Sequence, residues 1–537
     1  MKIHAVGTRA LLIDLDDLSA VMDWHAAIKD AHVPGLVDAI AAATTLLLKF
    51  AAPSQAKAAR EFLKDFTVEK RVAGDSRTVE IDVVYDGEDL AAAAEAVDLS
   101  PEALIDWHTS TEWTAAFGGF APGFTYCVPS DASEGKDFPR RPSPRTAVPM
   151  GAVALAGNFS AVYPRTSPGG WQLIGRTASA MWDSQAKPPA LLQPGDKVRY
   201  RRVTDFATPP QSADAHSLML TRLPKAELID AGQLTLYEDL GRPGLGDLGV
   251  SLSGAADRAA ARTANRAVGN AAHATELENI GGLHLKALSD IVVSVTGALA
   301  TVTITSAHGK TIPASLATPL LVPAGAELKV AAATRGLRTY VAIRGGFAAY
   351  TELDSASTDI LSGLGPAPLQ AGDTLFAVPE KFSTPGVTVP TLSNPLRVVG
   401  PHSTAEDADK DTNSGETHGE VRCVLGPRAD WFSKEAIAEF LSTQWVVTAD
   451  SNRVGLRLQH PNDTVLDRVR EGELASEGMV PGSIQIPPSG SPVVFLRDHA
   501  VTGGYPVIAT VIDEDVDIAA QLPPGATVKF TEFSTSQ

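Results

Sequence analysis

The 537-residue sequence predicts a mainly β protein with an α+β domain at its N-terminus. Three observations lead there. Up to residue 96 the chain alternates strand-like and helix-like runs. Beyond His108 helical periodicity becomes rare, and short Val/Ile/Thr-rich runs alternate with Gly/Pro turns, the pattern of β-sandwiches and barrels. One set of landmarks then recurs three times in the same order.

In the first part, ALLIDL reads as a strand, VMDWHAAIKDA as a helix and VDAIAAATTLLLKF as strand material with a turn. QAKAAREFLKDF reads as a second helix and RTVEIDVVY as a strand. That β-α-β-β-α-β order is a split βαβ domain. DLAAAAEAV and SPEALIDWHTS follow as short helices, the second with Ser100 as N-cap and Pro101 in its first turn.

The recurring landmarks are a Gly turn feeding an alternating run, a Gly-Gly-aromatic triplet, and a second Gly turn before a strand. The first set is VPMGAVAL from Val148, Gly169-Gly170-Trp171, and QPGDKVRY around Gly195. The second is VPAGAELKV from Val322, Gly345-Gly346-Phe347, and QAGDTLFA around Gly372. The third is VPGSIQI from Val480, Gly503-Gly504-Tyr505, and PPGATVKF around Gly525. Three homologous β modules are inferred, giving divisions at 1–96, 97–207, a linker 208–227, 228–380 and 396–537. TPPQSADAHS (208–217) and PEKFSTPGVTVPTLSNP (379–395) read as linkers. HSTAEDADKDTNSGETHGE (402–420) is an acidic insertion with almost nothing large and apolar to bury.

Composition narrows the function. Hydrophobic content of 44% and charged content of 20% belong to an ordinary soluble globular protein. A net charge of −18 without a Lys/Arg stripe argues against nucleic acid or an anionic membrane as partner. Cys127 and Cys423 are too few for a disulfide framework or a metal cluster, which suits a reducing cytoplasm. The opening MKIHAVGTRALLIDLDD meets acids too soon for a signal peptide. No apolar run reaches the ~18 residues of a bilayer span. A cytoplasmic location is expected, and self-association into a homo-oligomer is left open.

Several stretches can carry chemistry. FGGFAPGFTYC (117–127) is either a tight turn with core aromatics or a loop whose amides at Gly119 and Gly123 face a ligand. Cys127 reads as a small buried hydrophobe before it reads as a nucleophile. Arg140, Arg141 and Arg145 in PRRPSPRTAVP make a stiff cationic loop, and Arg presents a rigid fork to carboxylate or phosphate. In SPGGWQLIGRT the module accounts for Gly169 and Gly170 but not for Arg176, since Glu352 and Thr510 stand at the matching distance beyond Phe347 and Tyr505. Ser253 is expected to cap a helix over Ala255 to Val268. AHGKT (307–311) has Ile304 where a P-loop needs glycine and reads as a hairpin turn. Nor is there a His-Glu-x-x-His, a paired Cys-x-x-Cys or a lysine site for covalent biotin. DSNRVGLRL and RDHAVTGGY place Asn452, Arg453, Asp498, His499 and Tyr505, with Gln485, where a barrel needs no polar groups, so a binding cluster is expected there.

The stretches GGFAPGFTYC, PRRPSPRTAVPMGAV and YPRTSPGGWQLIGRT resemble the B-type subunit of bacterial ATP-dependent 5-oxoprolinase, formerly called allophanate hydrolase subunit 1. DLGRPGLGDLGVSLSGAADRAAARTANRAVGN, ELENIGG, RTYVAIRGG, ADSNRVGLRL, SEGMVPGSIQIPPSG and TGGYPVIATV are similar to the C-type subunit, and the two look fused here. The resemblance implies a ferredoxin-like N-terminal domain and cyclophilin-like barrels. It also implies kinship with the carboxyltransferase part of urea carboxylase, where an Asp at the position of Asp498 faces biotin. ATP and Mg²⁺, a separate A-type subunit of 5-oxoprolinase and a small amide substrate come with it. Arg145, Arg176 and Arg453 are then expected to stabilise phosphoryl charge beside Asp498. Gln485, Asn452, His499, Tyr505, Gly119, Gly123, Gly169 and Gly170 would line the substrate site. Two other readings accompany this one: a carboxyltransferase using a biotin carrier on a urea-like substrate, and a non-catalytic protein that sequesters a kinase.

Overall fold

The computed structural model describes residues 1–68, 76–141, 143, 145–206, 224–378, 418–470, 472 and 474–534. The stretches read as linkers at 208–217 and 379–395, and the acidic insertion up to residue 417, lie outside the described residues. Among the described residues no helix is long and apolar enough to cross a membrane.

The N-terminal unit is a four-stranded antiparallel sheet, β1 (Lys2–Val6), β2 (Ala10–Asp14), β3 (Leu36–Ala41) and β4 (Thr45–Phe50), in the order β1-β2-β4-β3. Two helices, α1 (Leu18–Asp30) and α2 (Pro53–Phe62), pack against it. Asp17 caps α1 by accepting the Ala20 N–H at 2.8 Å. Val21, His25 and Ile28 recur at helical spacing and turn inward. The run TLLLKF is apolar throughout because both faces of β4 are covered. Leu46 and Leu48 meet the helices, while Leu47 packs with Val480 and Val501 of the last module.

The strand RTVEIDVVY is not part of this sheet. As β5 (Thr78–Val83) it pairs in parallel with Lys197–Arg202, matching Thr78 to Lys197 and Val83 to Arg202. Ile81 and Val83 are fully buried in the core that holds Val198 and Tyr200, and that apolar face decides the partner. The fourth N-terminal strand is instead KIHAV, too short and mixed to stand out in the sequence.

Three β modules follow. The first joins seven strands in the order Thr78–Val83, Lys197–Arg202, Trp113–Gly118, Thr125–Pro129, Phe159–Val162, Ala152–Ala156, Gln172–Arg176. Val84 and Arg176 exchange two 2.9 Å backbone hydrogen bonds and close the ring. The last module is a closed seven-stranded barrel. Numbered along the chain, the strands of both run 1-7-2-3-5-4-6 around the ring. The likeness extends to details. Ser100 and Ser433 cap the helices Pro101–Ser110 and Lys434–Ser442, and after each helix a buried Trp returns its indole N–H to a carbonyl five residues back. A two-stranded ladder carries the Gly-Gly landmark in each, Ser167–Gly169 against Arg145–Val148 and Thr502–Gly503 against Glu477–Gly478. The middle module differs, dividing its strands between a six-stranded and a five-stranded sheet.

The helix expected from Ala255 runs over Arg258–Ala267 and is capped by Asp257, which accepts the Ala260 N–H at 2.9 Å. Ser253 is not the cap, because its hydroxyl is engaged by Asp498. AHGKT is a hairpin turn, with Thr305 opposite Thr311 and Gly309 at φ 82°.

Candidate active site at the seam between the modules

Arg453 and Asp498 meet, but inside the protein. Arg453 is 1% exposed and Asp498 0%. Nε and Nη2 of Arg453 donate to the two Asp498 oxygens at 2.9 and 3.0 Å, a bidentate fork. Nη1 donates to Glu278 at 2.5 Å, and Nη2 also reaches the Gly254 carbonyl at 2.7 Å and lies 3.2 Å from Glu238. Arg338 donates to Glu278 at 3.2 Å. Burial pushes the Glu238 carboxyl well up, against the pull of Arg453. Burial also raises the Asp498 carboxyl, against the pull of Arg453 and Ser253. Asp498 further accepts the Ser253 hydroxyl at 2.8 Å and the Ile360 N–H at 3.1 Å. The cluster stitches the middle module to the last one, and all three guanidinium nitrogens of Arg453 are engaged within it.

The first module meets the last at the GGFAPGF loop. Thr502 accepts the Phe120 N–H at 3.0 Å, across 382 residues. Phe120 sits at φ 62°, a left-handed conformation that a bulky side chain rarely adopts. The glycines permit close approach: a β-carbon on Gly119 would lie 2.8 Å from the Thr502 hydroxyl. Their amides are engaged, Gly119 by the Phe124 carbonyl at 3.1 Å and Gly123 by the Leu248 carbonyl at 3.2 Å. Beside Thr502, the Gln485 carboxamide donates to the Tyr505 carbonyl at 3.0 Å. The Tyr126 hydroxyl lies near Ser476 and Thr502. The floor is aromatic, with Phe120, Phe124, Tyr126, Tyr163 and Trp171 in edge contacts.

The remaining expected residues are engaged by other partners or serve the backbone. Arg145 bridges Glu88 at 3.0 Å and Asp89 at 2.9 Å, and Arg141 joins Asp89 at 2.5 Å. Arg176 is half-exposed, paired with Asp86 at 2.9 Å and 5.3 Å from the Phe206 ring. Its backbone, not its charge, has the visible role, closing the ring with Val84. Arg145, Arg176 and Arg453 therefore do not converge. Gly169 packs under Tyr163, where a β-carbon would meet the hydroxyl, and the Gly170 carbonyl accepts the Arg141 N–H at 2.8 Å. Asn452 accepts the Val454 N–H at 2.8 Å as a turn residue. His499 stacks on Phe495, and burial drives its imidazole down to about 3, so it is neutral. Cys127 is buried with its thiol pushed up to about 12, in keeping with a core residue.

Two arginines do not stand out in the sequence. Arg165 ends the segment after Tyr163 and lies against the loop at Gly363, where its Nη1 is 3.0 Å from the position of an added β-carbon. Burial lowers its affinity for the proton, partly offset by Asp359, and its guanidinium makes no hydrogen bond among the described residues. Arg468 donates to the Ile486 carbonyl and lies near Tyr505. Arg140 lies near Tyr126 and Tyr163. The signal for Arg165 is its place in YPRTSPGG, beside the glycine landmark. Cations, hydroxyls and a carboxamide over an aromatic floor suit a small planar amide that carries a carboxylate.

Residues 248–532 match the family model "Carboxyltransferase domain, subdomain A and B", and residues 1–192 match "Carboxyltransferase domain, subdomain C and D". The chain is 30% identical over 315 residues to the C-type subunit of 5-oxoprolinase from Haemophilus influenzae, covering 58% of this chain and 92% of that protein. It is 35% identical over 208 residues to the B-type subunit of 5-oxoprolinase from Escherichia coli O157:H7, covering 37% of this chain and 94% of that protein. A solved structure, that of TTHA0988, is 32% identical, with a TM-score of 0.79 over 97% of this chain and all of the other.

Proposed function

For a chain that belongs to the carboxyltransferase-domain family, with subdomains C and D running into A and B, we propose a role as the fused B- and C-type component of an ATP-dependent 5-oxoprolinase. The observation that carries it is the Phe120–Thr502 hydrogen bond, which joins the B-like and C-like parts over an aromatic floor, with Arg140 near Tyr126 and Tyr163 and Arg468 near Tyr505. 5-Oxoproline joins a lactam to a carboxylate, and the site offers partners for both. Arg165 would take the carboxylate. Thr502, Tyr126 and the Gln485 carboxamide would hold the lactam N–H and carbonyl.

An amide carbonyl is a weak electrophile, and ATP would supply the phosphoryl group that turns its oxygen into a leaving group. The chain's own contribution is to orient the lactam, exclude water with the aromatic floor and place positive charge at the mouth. Arg453 and Asp498 act as positioning residues, fixing the middle and last modules around the site. Arg145 holds the arginine loop through Glu88 and Asp89. No group of three His, Cys, Asp or Glu side chains able to hold a metal occurs among the described residues, so Mg²⁺ would arrive with the nucleotide phosphates. A separate A-type subunit would complete ring opening to glutamate.

The test is ADP and glutamate release from the purified chain with ATP, Mg²⁺ and 5-oxoproline, with and without an A-type subunit. Release that depends on 5-oxoproline is expected, and its absence in both mixtures refutes the proposal. The family model's description favours one second reading, carboxyl transfer, which in this chain would run between a biotin carrier and a urea-type amide at the same seam. Urea-dependent turnover of a carboxylated biotin carrier would select it.

A further inference from the structure

A cavity of about 320 Å³ lies away from the seam, where the N-terminal sheet, the middle module and the last barrel meet. Five cationic side chains line it, Arg9, Lys49, Arg258, Arg262 and Arg497, against one carboxylate, Asp513. The protein as a whole carries −18, so this concentration of positive charge is local and opposed to the average.

The cations are only partly matched: Arg9 pairs with Glu514 at 3.0 Å and Asp513 at 3.5 Å. Arg497 is 1% exposed, and its Nε and Nη1 are buried without a hydrogen-bond partner; only Nη2 is engaged, by Asp517 at 3.1 Å. Asp513 stands 3.8 Å from Arg497 Nη1, too far for a hydrogen bond. Nε of Arg258 and Nε of Arg9 are likewise buried and unpartnered, although each side chain makes other contacts. Lys49 makes no side-chain hydrogen bond among the described residues and feels Asp38 and Asp513 only as more distant charges. Asp38, opposite Lys49 across the β3–β4 ladder, gives its carboxylate to the Gly246 N–H. The buried hydroxyls of Thr8 and Thr510, also in the lining, lack partners.

Buried donors without acceptors are costly, and folded proteins rarely retain several around one space without something to fill it. We infer that this three-module junction is a binding site for a phosphate-bearing anion. The unmatched donors number four guanidinium nitrogens, one ammonium and two hydroxyls, from Arg497, Arg258, Arg9, Lys49, Thr510 and Thr8. That exceeds the roughly four acceptor positions of a carboxylate. A phosphate or diphosphate group, with more oxygens and more charge, matches it. Arg262, exposed one helical turn beyond Arg258, stands at the mouth. The group belongs to a free phosphate or to a nucleotide.

The site is testable by calorimetric titration of the full chain with pyrophosphate, with citrate at matched ionic strength as control. Saturable one-to-one binding of pyrophosphate but not citrate is expected. Lys49→Met and Thr510→Val should each weaken it by about tenfold, the scale of one charge-assisted hydrogen bond. Lys49→Met should lower the melting temperature of the ligand-free protein only slightly, since the ammonium makes no hydrogen bond and loses only its attraction to Asp38 and Asp513; Arg262→Gln, exposed and harmless to the fold, gives a second measure of binding. ADP binding at least tenfold tighter than pyrophosphate assigns the source to a nucleotide, and equal or weaker binding assigns it to free phosphate. No saturable pyrophosphate binding, equal binding of citrate, or binding indifferent to both Lys49→Met and Thr510→Val overturns the inference. The readout is binding, so it stands or falls separately from 5-oxoproline turnover.

Discussion

Replacing Arg453 with Met removes the cation that three buried carboxyl groups share while keeping most of the side chain's bulk. Glu278 retains Arg338 at 3.2 Å, and burial holds the Glu238 carboxyl well up, so the carboxylate that loses its main partner is Asp498. Asp498 keeps the Ser253 hydroxyl at 2.8 Å and the Ile360 N–H at 3.1 Å, too little to replace a bidentate guanidinium. An uncompensated buried charge of this kind costs about 3–5 kcal/mol. Protonating Asp498 relieves the cost, so the loss should shrink as pH falls from 8 to 5. Asp498→Asn in the Arg453→Met background should restore part of the stability for the same reason. Because several modules unfold, a single melting temperature is a poor probe, and hydrogen exchange resolved by segment is better. Protection should fall in Gly455–Gln459 and Val493–Phe495 of the last barrel and in Glu276–Ile280 of the middle module, but not in Ala152–Ala156 of the first. A loss below about 1 kcal/mol, the scale of a surface pair, or an equal loss in the first module would refute the account.

Three further outcomes follow from the same geometry. Thr502→Val removes the acceptor of the Phe120 N–H and a substrate contact, so 5-oxoproline-dependent kcat/KM should fall by about tenfold or more and stability by about 1–3 kcal/mol, the cost of leaving that N–H unpaired. Arg176→Ala removes an exposed pair and leaves the backbone closure intact, so stability should move by about 0.5 kcal/mol or less, with turnover unchanged. His108 and His499 are both buried neutral with imidazoles near pKa 3, so below pH 6.5 the unfolded chain binds more protons than the folded one. Stability is then full above pH 6.5 and falls as the pH drops toward 3, by about 2 kcal/mol per histidine between 6.5 and 5. Urea titrations across that range should show the slope, and His108→Gln should remove roughly half of it.

Periodicity and turn chemistry carry much of the architecture. Ser100 with Pro101 announces a helix because a cap is a local event. TLLLKF cannot reveal on its own that β4 is covered on both faces, since the second cover comes from Val480 and Val501. RTVEIDVVY is a strand, as its pattern says, but not one of the N-terminal sheet, because its partner lies more than a hundred residues on. At the candidate site, the Phe120–Thr502 contact spans most of the chain and has no local signature. Arg453 and Asp498 stand out in the sequence as a polar cluster, and only burial shows that they grip each other. Arg176 and Arg165 both follow strands, and nothing in the sequence says that Arg176 pairs with Asp86 while Arg165 lies against the loop at Gly363.

The parallel pairing at the edges of the first and last barrels fixes how the chain travels through them. Where the opening strand lies parallel to the closing one, as Thr78–Val83 beside Lys197–Arg202 and His418–Leu425 beside Thr527–Glu532, the chain enters at one rim and leaves at the other. A six-residue strand separates those rims by roughly 20 Å. In the middle module the opening and closing strands are antiparallel, with Pro224 opposite Phe376, so entry and exit sit about 5 Å apart. The outer barrels are thoroughfares and the middle module is a cul-de-sac. Joining old ends to cut new ones would need only a tight turn in the middle module, and a linker able to cross the whole barrel in either of the others.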